Sequence, residues 1–174
     1  MIEGLIRTIP DFPRAGIQFR DITTLLADGK GLAACVDGLA TLANDLRVDL
    51  VAGMEARGFI FGPALALELG VGFVPLRKAG KLPVEAIRED YALEYGRASL
   101  ELDPTIVRAG QRVLLVDDLL ATGGTALAGA RLLRRAGAIC EYAVFVIDLP
   151  DLGGTSALAK ADIDARSLVA YAGE

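Results

Sequence analysis

Residues 112–126, RVLLVDDLLATGGTA, constrain the fold more than any other part of this chain. An apolar run ends in two adjacent acids, Asp117 and Asp118, and a glycine-rich turn then leads into a segment with helical spacing. A continuous apolar run of this kind is typical of a strand that is buried on both faces of a parallel sheet. Ligands of open α/β sheets bind beyond the carboxyl ends of such strands, so the acids and the turn are candidates for a binding site.

Apolar runs and helical spacing alternate along the rest of the chain. The spacing predicts helices at 30–47, 62–70 and 125–137, and the short apolar runs predict strands at 50–54, 71–76, 112–117, 139–147 and 166–170. Continuous apolar strands alternating with helices predict an α/β fold, in which a parallel β-sheet is flanked by helices on both faces. The length of 174 residues, with neither a repeat nor a linker, predicts a single domain over residues 1–174.

One segment, residues 77–102, departs from this alternation because it is polar and charged. Around Gly96 it carries two alternating runs, Tyr91-Leu93-Tyr95 and Ala98-Leu100-Leu102. This alternation predicts a hairpin, which we expect to stand off the sheet. A long polar excursion in a compact α/β domain is more often functional than filler. We therefore expect residues 80–95 to form a flexible hairpin lid.

The composition excludes several classes of function. The chain has no histidine, which excludes His-dependent catalytic triads and His-ligated metals. Cys35 and Cys140 are too few and too far apart for a disulfide framework or a structural zinc site, so a cytoplasmic setting is expected. The net charge of −5 argues against nucleic-acid binding. No apolar run reaches the ~18 residues of a membrane span, and the N-terminus lacks a signal-peptide pattern, so no membrane association is expected.

Three kinds of site compete for the acid pair and the turn. A Walker B strand needs a G-x-x-x-x-G-K-[ST] loop elsewhere, and a dinucleotide site needs G-x-G-x-x-G after the first strand; the sequence contains neither motif. In a sugar-phosphate site, Asp117 and Asp118 would accept hydrogen bonds from two ribose hydroxyls. The N–H groups of the turn, at a helix N-terminus, would then bind the 5-phosphate. The remaining alternative is that the acids only cap a helix and the glycines only turn the chain.

Several segments carry a family resemblance. VLLVDDLLATGGTA resembles the phosphoribosyl-pyrophosphate motif of type I phosphoribosyltransferases. The wider sequence is similar, in the same order, to the adenine phosphoribosyltransferase family at IPDFPRAGIQFRDITTLL, GMEARGFIFGPALALELG, VPLRKAGKLP, DYALEYGRASLEL and DLPDLGG. One departure is Ala15-Gly16, where the family usually has Pro-Gly after P-D-F-P-x.

The resemblance implies a reaction and its partners. The family transfers phosphoribose from 5-phospho-α-D-ribose 1-diphosphate to adenine with Mg²⁺, giving AMP and pyrophosphate for purine salvage. It also implies the type I phosphoribosyltransferase fold and a homodimer, for which the apolar segment 59–69 is the candidate interface. Two alternatives remain open. One is a phosphoribosyltransferase for another base, such as xanthine or orotate, and the other is a non-catalytic regulator that senses phosphoribosyl pyrophosphate.

The resemblance also assigns residues to the donor. They comprise the acid pair, the turn and four cations that follow two strand ends, namely Asp117, Asp118, Ala121, Thr122, Gly123, Gly124, Thr125, Arg57, Arg77, Lys78 and Lys81. The cations would neutralise the leaving diphosphate in a water-poor site. Mg²⁺ is expected to bind through the diphosphate and water, with no direct protein ligand. A plain surface role is the alternative for Arg57 and Lys78.

Three residues are candidates for the base. By resemblance, Phe19 and Arg20 bind adenine, with the ring of Phe19 available to stack on the purine, and Glu94 handles the proton that adenine loses. For Phe19 the alternative is a place in the core, and for Glu94 it is that of a solvated hairpin acid.

Overall fold

The computed structural model of the protein describes residues 2–92 and 97–172. The strands of these residues are β1 (Arg7–Pro10), β2 (Gln18–Asp21), β3 (Leu50–Met54), β4 (Gly72–Lys78), β5 (Ile87–Ala92), β6 (Arg97–Leu102), β7 (Arg112–Leu120), β8 (Ile139–Asp148) and β9 (Asp164–Ala170). The α-helices are α1 (Thr23–Ala27), α2 (Gly29–Leu42), α3 (Gly58–Glu68), α4 (Gly124–Arg135) and α5 (Gly154–Ala159). None of these helices is long and apolar enough to cross a bilayer.

A seven-stranded sheet organises the fold, in the order β5-β6-β4-β3-β7-β8-β9. Five consecutive strands of this sheet, β4-β3-β7-β8-β9, are parallel to one another. Helices α4 and α5 cover one face, where Leu132 and Leu158 join a buried cluster with Phe145. Helices α2 and α3 cover the other face, where Leu39 and Leu65 pack in a second cluster. The predicted α/β fold with helices on both faces is confirmed.

The hairpin of β5 and β6 extends the sheet. The two strands are antiparallel, and β6 also pairs with the end of β4, where Arg77 faces Glu101 and Lys78 faces Leu100. Leu100 and Leu102 are fully buried, since alternate side chains of β6 point into the core under α4. The expectation that the hairpin stands off the sheet is therefore wrong. The predicted turn at Gly96 lies outside the described residues.

The observed bounds of the helices and strands agree with some of the predicted bounds and differ from others. The strand predicted at 50–54 is β3, and the one at 139–147 is β8 with one more residue. The strand predicted to end at 117 continues to Leu120, because its last residues still pair with β8. The helix predicted at 30–47 ends at Leu42, and the one at 62–70 already begins at Gly58. The antiparallel hairpin of β1 and β2 was not predicted.

Candidate functional site

The two acids of the opening motif lie inside strand β7. Asp117 pairs with Phe145 of β8, and the pairing continues as far as Leu120. Asp118 is only 4% exposed, so its carboxylate is buried at the end of the strand. The Asp118 backbone N–H donates to Asp117 Oδ1 at 2.9 Å, which fixes the Asp117 carboxylate beside its neighbour.

The Asp117 carboxyl group is held in an environment that disfavours its charge. Burial, reinforced by the negative charge of Asp118, raises its pKa well above the usual range. Strongly perturbed carboxyl groups at the carboxyl end of a parallel strand are typical of functional sites. The sequence does not reveal this property, because it depends on how deeply the strand end is buried.

Arg57 connects strand β3 to this acid pair. It directly precedes α3, and its Nε lies 2.5 Å from Asp118 Oδ2. The Arg57 side chain is half exposed, whereas that of Asp118 is buried. The close approach requires Gly58, because a Cβ there would lie 2.9 Å from the Val116 carbonyl oxygen and 3.2 Å from Asp117 Oδ1. The guanidinium therefore neutralises one of two adjacent carboxylates.

The turn after β7 is shaped for close backbone approach. Gly123 adopts a left-handed conformation with φ of 83°, which glycine reaches without strain, and α4 begins at the next residue. The N–H groups at the start of α4 are free of intrahelical partners and favour an anion. The turn, the acid pair and Arg57 enclose a cavity of about 190 Å³, whose lining includes Asp117, Asp118, Ala121, Thr122, Gly123, Gly124 and Thr125.

The three cations at the end of β4 are held differently. Arg77 Nε donates to Glu55 Oε2 at 3.0 Å, and the backbone N–H of Lys78 donates to the same oxygen at 2.8 Å. These contacts, the Lys78 hydrogen bond foremost, lower the pKa of Glu55. Lys78 and Lys81 are exposed. Within the described part of the chain, none of the three cations lines the cavity of the acid pair.

Glu55 holds two of the predicted donor-binding cations, Arg77 and Lys78, and was not itself predicted. It follows β3 directly and its backbone N–H donates to the Leu76 carbonyl oxygen of β4 at 2.9 Å. The sequence offered one signal for Glu55, since an acid directly after a buried strand is a candidate site residue. Glu55 also precedes Arg57 by only two positions. The contact of Glu55 with Arg77 could not be predicted from the sequence, because the pairing of β3 with β4 is what brings the two residues together.

A second, larger cavity adjoins the first. It measures about 510 Å³, and its lining includes Phe19 and Arg20 together with Arg57, Leu119 and Ala121, which also line the smaller cavity. Phe19 is half-buried on the β1–β2 hairpin and meets Phe12 edge-on at 5.2 Å between ring centroids. A place for Phe19 in the core is therefore not observed.

Arg20 is held by contacts outside the larger cavity. Its Cζ lies 4.3 Å from the Tyr171 ring centroid, and its Nη1 donates to Thr8 Oγ1. The structure thus brings Phe19 and Arg20 to one cavity beside the acid pair. Glu94 lies outside the described residues.

Comparison with known proteins decides the family. Residues 21–160 match the sequence model of the phosphoribosyl transferase domain. A protein named adenine phosphoribosyltransferase from Novosphingobium aromaticivorans is 59% identical over 172 residues, covering 99% of this chain and 97% of that protein. The chain belongs to the adenine phosphoribosyltransferase family.

Solved structures agree with this family and with its fold. The crystal structure of adenine phosphoribosyltransferase from Thermoanaerobacter pseudethanolicus matches with a TM-score of 0.93 at 48% identity, covering 98% of both chains. The enzyme from Giardia lamblia, complexed with 9-deazaadenine, matches with a TM-score of 0.92 at 36% identity, covering 98% of this chain and 96% of that one. The predicted membership of the adenine phosphoribosyltransferase family is confirmed.

Proposed function

We propose that this chain transfers the 5-phosphoribosyl group from 5-phospho-α-D-ribose 1-diphosphate to adenine, forming AMP and pyrophosphate. The observation that carries the proposal is the pair of adjoining cavities that share Arg57, Leu119 and Ala121. The smaller cavity contains carboxylates and an anion-binding turn, and the larger one contains an aromatic ring. A sugar phosphate in the first and a flat base in the second would meet at the shared wall.

The smaller cavity supplies the groups that a phosphorylated ribose requires. We assign the ribose hydroxyls to Asp117 and Asp118, which are adjacent acceptors on one strand end. The 5-phosphate is assigned to the turn of residues 121–125, where free N–H groups meet the positive end of the α4 dipole. Negative charge beside the sugar also stabilises the positive charge that develops on it as the C1–O bond breaks.

The diphosphate leaves with negative charge that the protein must neutralise. Arg57 is the cation nearest the acid pair, and we assign it to the diphosphate together with Arg77, Lys78 and Lys81 from the end of β4. The described residues contain no group of three or more Asp, Glu, His or Cys side chains that could hold a metal. We assign Mg²⁺ to the oxygens of the diphosphate and to water, where the ion would offset phosphate charge.

The base is assigned to the larger cavity. Phe19 lines this cavity and its ring is assigned to stack on the purine, while the backbone around Arg20 offers polar groups for the edge of the purine. Adenine loses the N9 proton as N9 bonds to C1. We assign that proton to Glu94, whose place in the sequence is between β5 and β6.

We further propose that residues 1–174 form one domain that acts as a homodimer in the cytoplasm. Helix α3 supports the dimer because it is apolar around its circumference. Phe61 and Leu65 are buried on one side of it, while Leu67 is 83% exposed on the other. An exposed apolar face of this kind is typical of an interface between subunits. Light scattering of the purified protein at micromolar concentration should therefore give the mass of two chains.

The proposed reaction is tested by offering several bases to the purified protein. The donor and Mg²⁺ are incubated with adenine, hypoxanthine, guanine, xanthine or orotate, and nucleotide and pyrophosphate are both quantified. AMP and pyrophosphate in equal amounts with adenine, and far less product with the other bases, support the proposal. Preferred turnover of another base would assign the larger cavity to that base. Binding of the donor without any nucleotide would favour a sensing role.

A further inference from the structure

The loop after β8 lies in direct backbone contact with the turn after β7. Gly154 is buried at the start of α5, and a Cβ on it would lie 2.3 Å from the Ala121 carbonyl oxygen. The same Cβ would lie 2.8 Å from Leu120 Cδ1. Contacts below 3.0 Å to a Cβ are essentially never made, so no side chain fits between the two loops.

The contact is reciprocal. A Cβ on Gly123 would lie 3.2 Å from the Gly154 carbonyl oxygen and 3.4 Å from the Gly154 Cα. The second loop is itself tied to the sheet, because the Leu149 backbone N–H donates to the Leu120 carbonyl oxygen at 2.9 Å. Thr155 Oγ1 also donates to Asp148 Oδ2 at 3.1 Å. The turn after β7 therefore rests against a backbone wall, residues 149–155, that is itself attached to the ends of β7 and β8.

We propose that Gly154 is a positioning residue for the 5-phosphate of the donor. In this role Gly154 does not contact the substrate. It has no side chain, so Ala121 and Gly123 can pack closely against the loop after β8. A methyl group at Gly154 would force the Ala121 carbonyl away by about 1 Å to reach normal contact, and a displacement of about 1 Å in a positioned group can lower a rate by about 100-fold. This inference rests on the proposed function, since it assumes that the turn binds the phosphate.

The proposed effect is selective within the site. Arg57 is positioned from strand β3 and by its ion pair with Asp118. The closest contacts of a Cβ on Gly154 are instead with Ala121 and Leu120, on the far side of the acid pair along β7. Gly154→Ala should therefore disturb the phosphate of the ribose while leaving the site of the diphosphate in place.

Calorimetric titration of Gly154→Ala with two probes tests this selectivity. Ribose 5-phosphate should bind about 10-fold more weakly or worse than to wild type, in keeping with a shifted phosphate cradle. Pyrophosphate with Mg²⁺ should bind as it does to wild type, and the KM for the donor should rise. Equal losses for both probes would indicate general damage and contradict a positioning role. Unchanged affinity for ribose 5-phosphate would contradict the proposal outright.

A matched control separates crowding from positioning. Gly38→Ala also introduces a tight contact, 2.9 Å to Leu168 Cδ2, but it does so between α2 and β9. It should lower thermal stability without changing the affinity of either probe. Wild-type protein that makes no AMP and binds neither probe would contradict the proposed function itself. An active wild type with an unaffected Gly154→Ala variant would contradict only the role of Gly154.

The wild-type protein offers a second measurement in case Gly154→Ala does not fold. Because Gly154 packs against the turn with no room for a side chain between them, ribose 5-phosphate should slow amide exchange in residues 150–155 as well as in 121–125. Helix α2 provides the internal reference, since none of its residues lines the cavity of the turn. Slower exchange confined to 121–125 would contradict the proposal.

Discussion

Arg57 Nε lies 2.5 Å from Asp118 Oδ2, so the cation assigned to the diphosphate and an acid assigned to the ribose neutralise each other. The Asp118 side chain is 6% exposed, and a carboxylate at that depth requires a partner. Because the Arg57 side chain is half exposed, its guanidinium can rotate toward a bound anion without breaking contacts in the core. The ion pair thus gives the buried Asp118 carboxylate a partner until a ligand replaces its contact with Arg57.

The first prediction concerns Arg57→Ala. The substitution leaves the buried Asp118 carboxylate without its cation, so the protein should lose about 1–2 kcal/mol of unfolding free energy. This is less than the ~3–5 kcal/mol for a fully buried pair, because Arg57 is half exposed. Affinity for the donor should also fall. Arg88→Ala, which removes an exposed ion pair with Asp90, is the control and should change stability little. Urea denaturation of both variants measures the difference, and equal stabilities would contradict the account.

The raised pKa of Asp117 predicts a gain in stability on its removal. A carboxyl group whose pKa is higher in the folded state holds its proton on folding, so it destabilises the protein increasingly as pH rises from the unfolded pKa toward the folded one. Asp117→Asn should therefore be more stable than wild type at pH 8 and less distinct from it at pH 5. The gain is about 1.4 kcal/mol per unit of pKa elevation.

Denaturation curves at the two pH values measure this difference. In Asp117→Asn the side-chain amide oxygen can still accept the Asp118 N–H, so the local backbone should be preserved. Asp37→Asn on the exposed face of α2 serves as the control. If the stability difference between Asp117→Asn and wild type does not change with pH, the pKa of Asp117 is not raised in the folded protein.

Glu55→Gln tests whether Glu55 orients the cations of β4. The amide keeps one acceptor oxygen but loses the charge that holds Arg77 and the Lys78 N–H, so donor binding should weaken by about 1–2 kcal/mol. In an Arg77→Ala background the same substitution should have a smaller effect, because its partner is already gone. Glu141→Gln at the opposite ends of the strands is the control. Additive losses in the double variant would mean that Glu55 does not act through Arg77.

The predicted lid can be followed by amide exchange. Exchange across residues 80–95 should slow when a donor analogue, Mg²⁺ and adenine are present together, because closure would exclude water from the charged transition state. Strand β5 should start from slower exchange than residues 80–86. It pairs with β6, and Arg135 Nη1 of α4 donates to the Arg88 carbonyl oxygen at 2.7 Å. Equal protection of residues 80–86 with and without ligands would contradict the lid.

Local pattern was sufficient for the parallel sheet but not for its extensions. Strand β3 was predicted at its observed bounds because an apolar run buried on both faces is unambiguous. Strand β7 was cut short at Asp117, since polar residues usually end a buried strand and only the pairing with β8 shows otherwise. The hairpin was predicted, but its attachment was not, because the pairing of Lys78 with Leu100 is a non-local contact.

The site shows the same division. The motif of residues 112–126 pointed to the acid pair and the turn, and the structure places all of its candidate residues around one cavity. The ion pair of Arg57 with Asp118 was not predicted, because it joins the loop after β3 to strand β7, and the two are distant in the sequence. The contact of Gly154 with Ala121 was not predicted either, because it joins two loops that are distant in the sequence. The sequence showed only the glycine pair of DLPDLGG.

The most direct test of the proposed catalytic site is the turnover of the double variant Asp117→Asn, Asp118→Asn. Purified wild type and variant are compared by circular dichroism and then incubated with donor, Mg²⁺ and adenine, while AMP and pyrophosphate are measured. We expect wild type to form both products in equal amounts, and the folded variant to form neither at a detectable rate, because the ribose hydroxyls lose both carboxylates and the stronger, charge-assisted hydrogen bonds that these accept. A folded variant that makes AMP at the wild-type rate would contradict the assignment of the acid pair to the ribose.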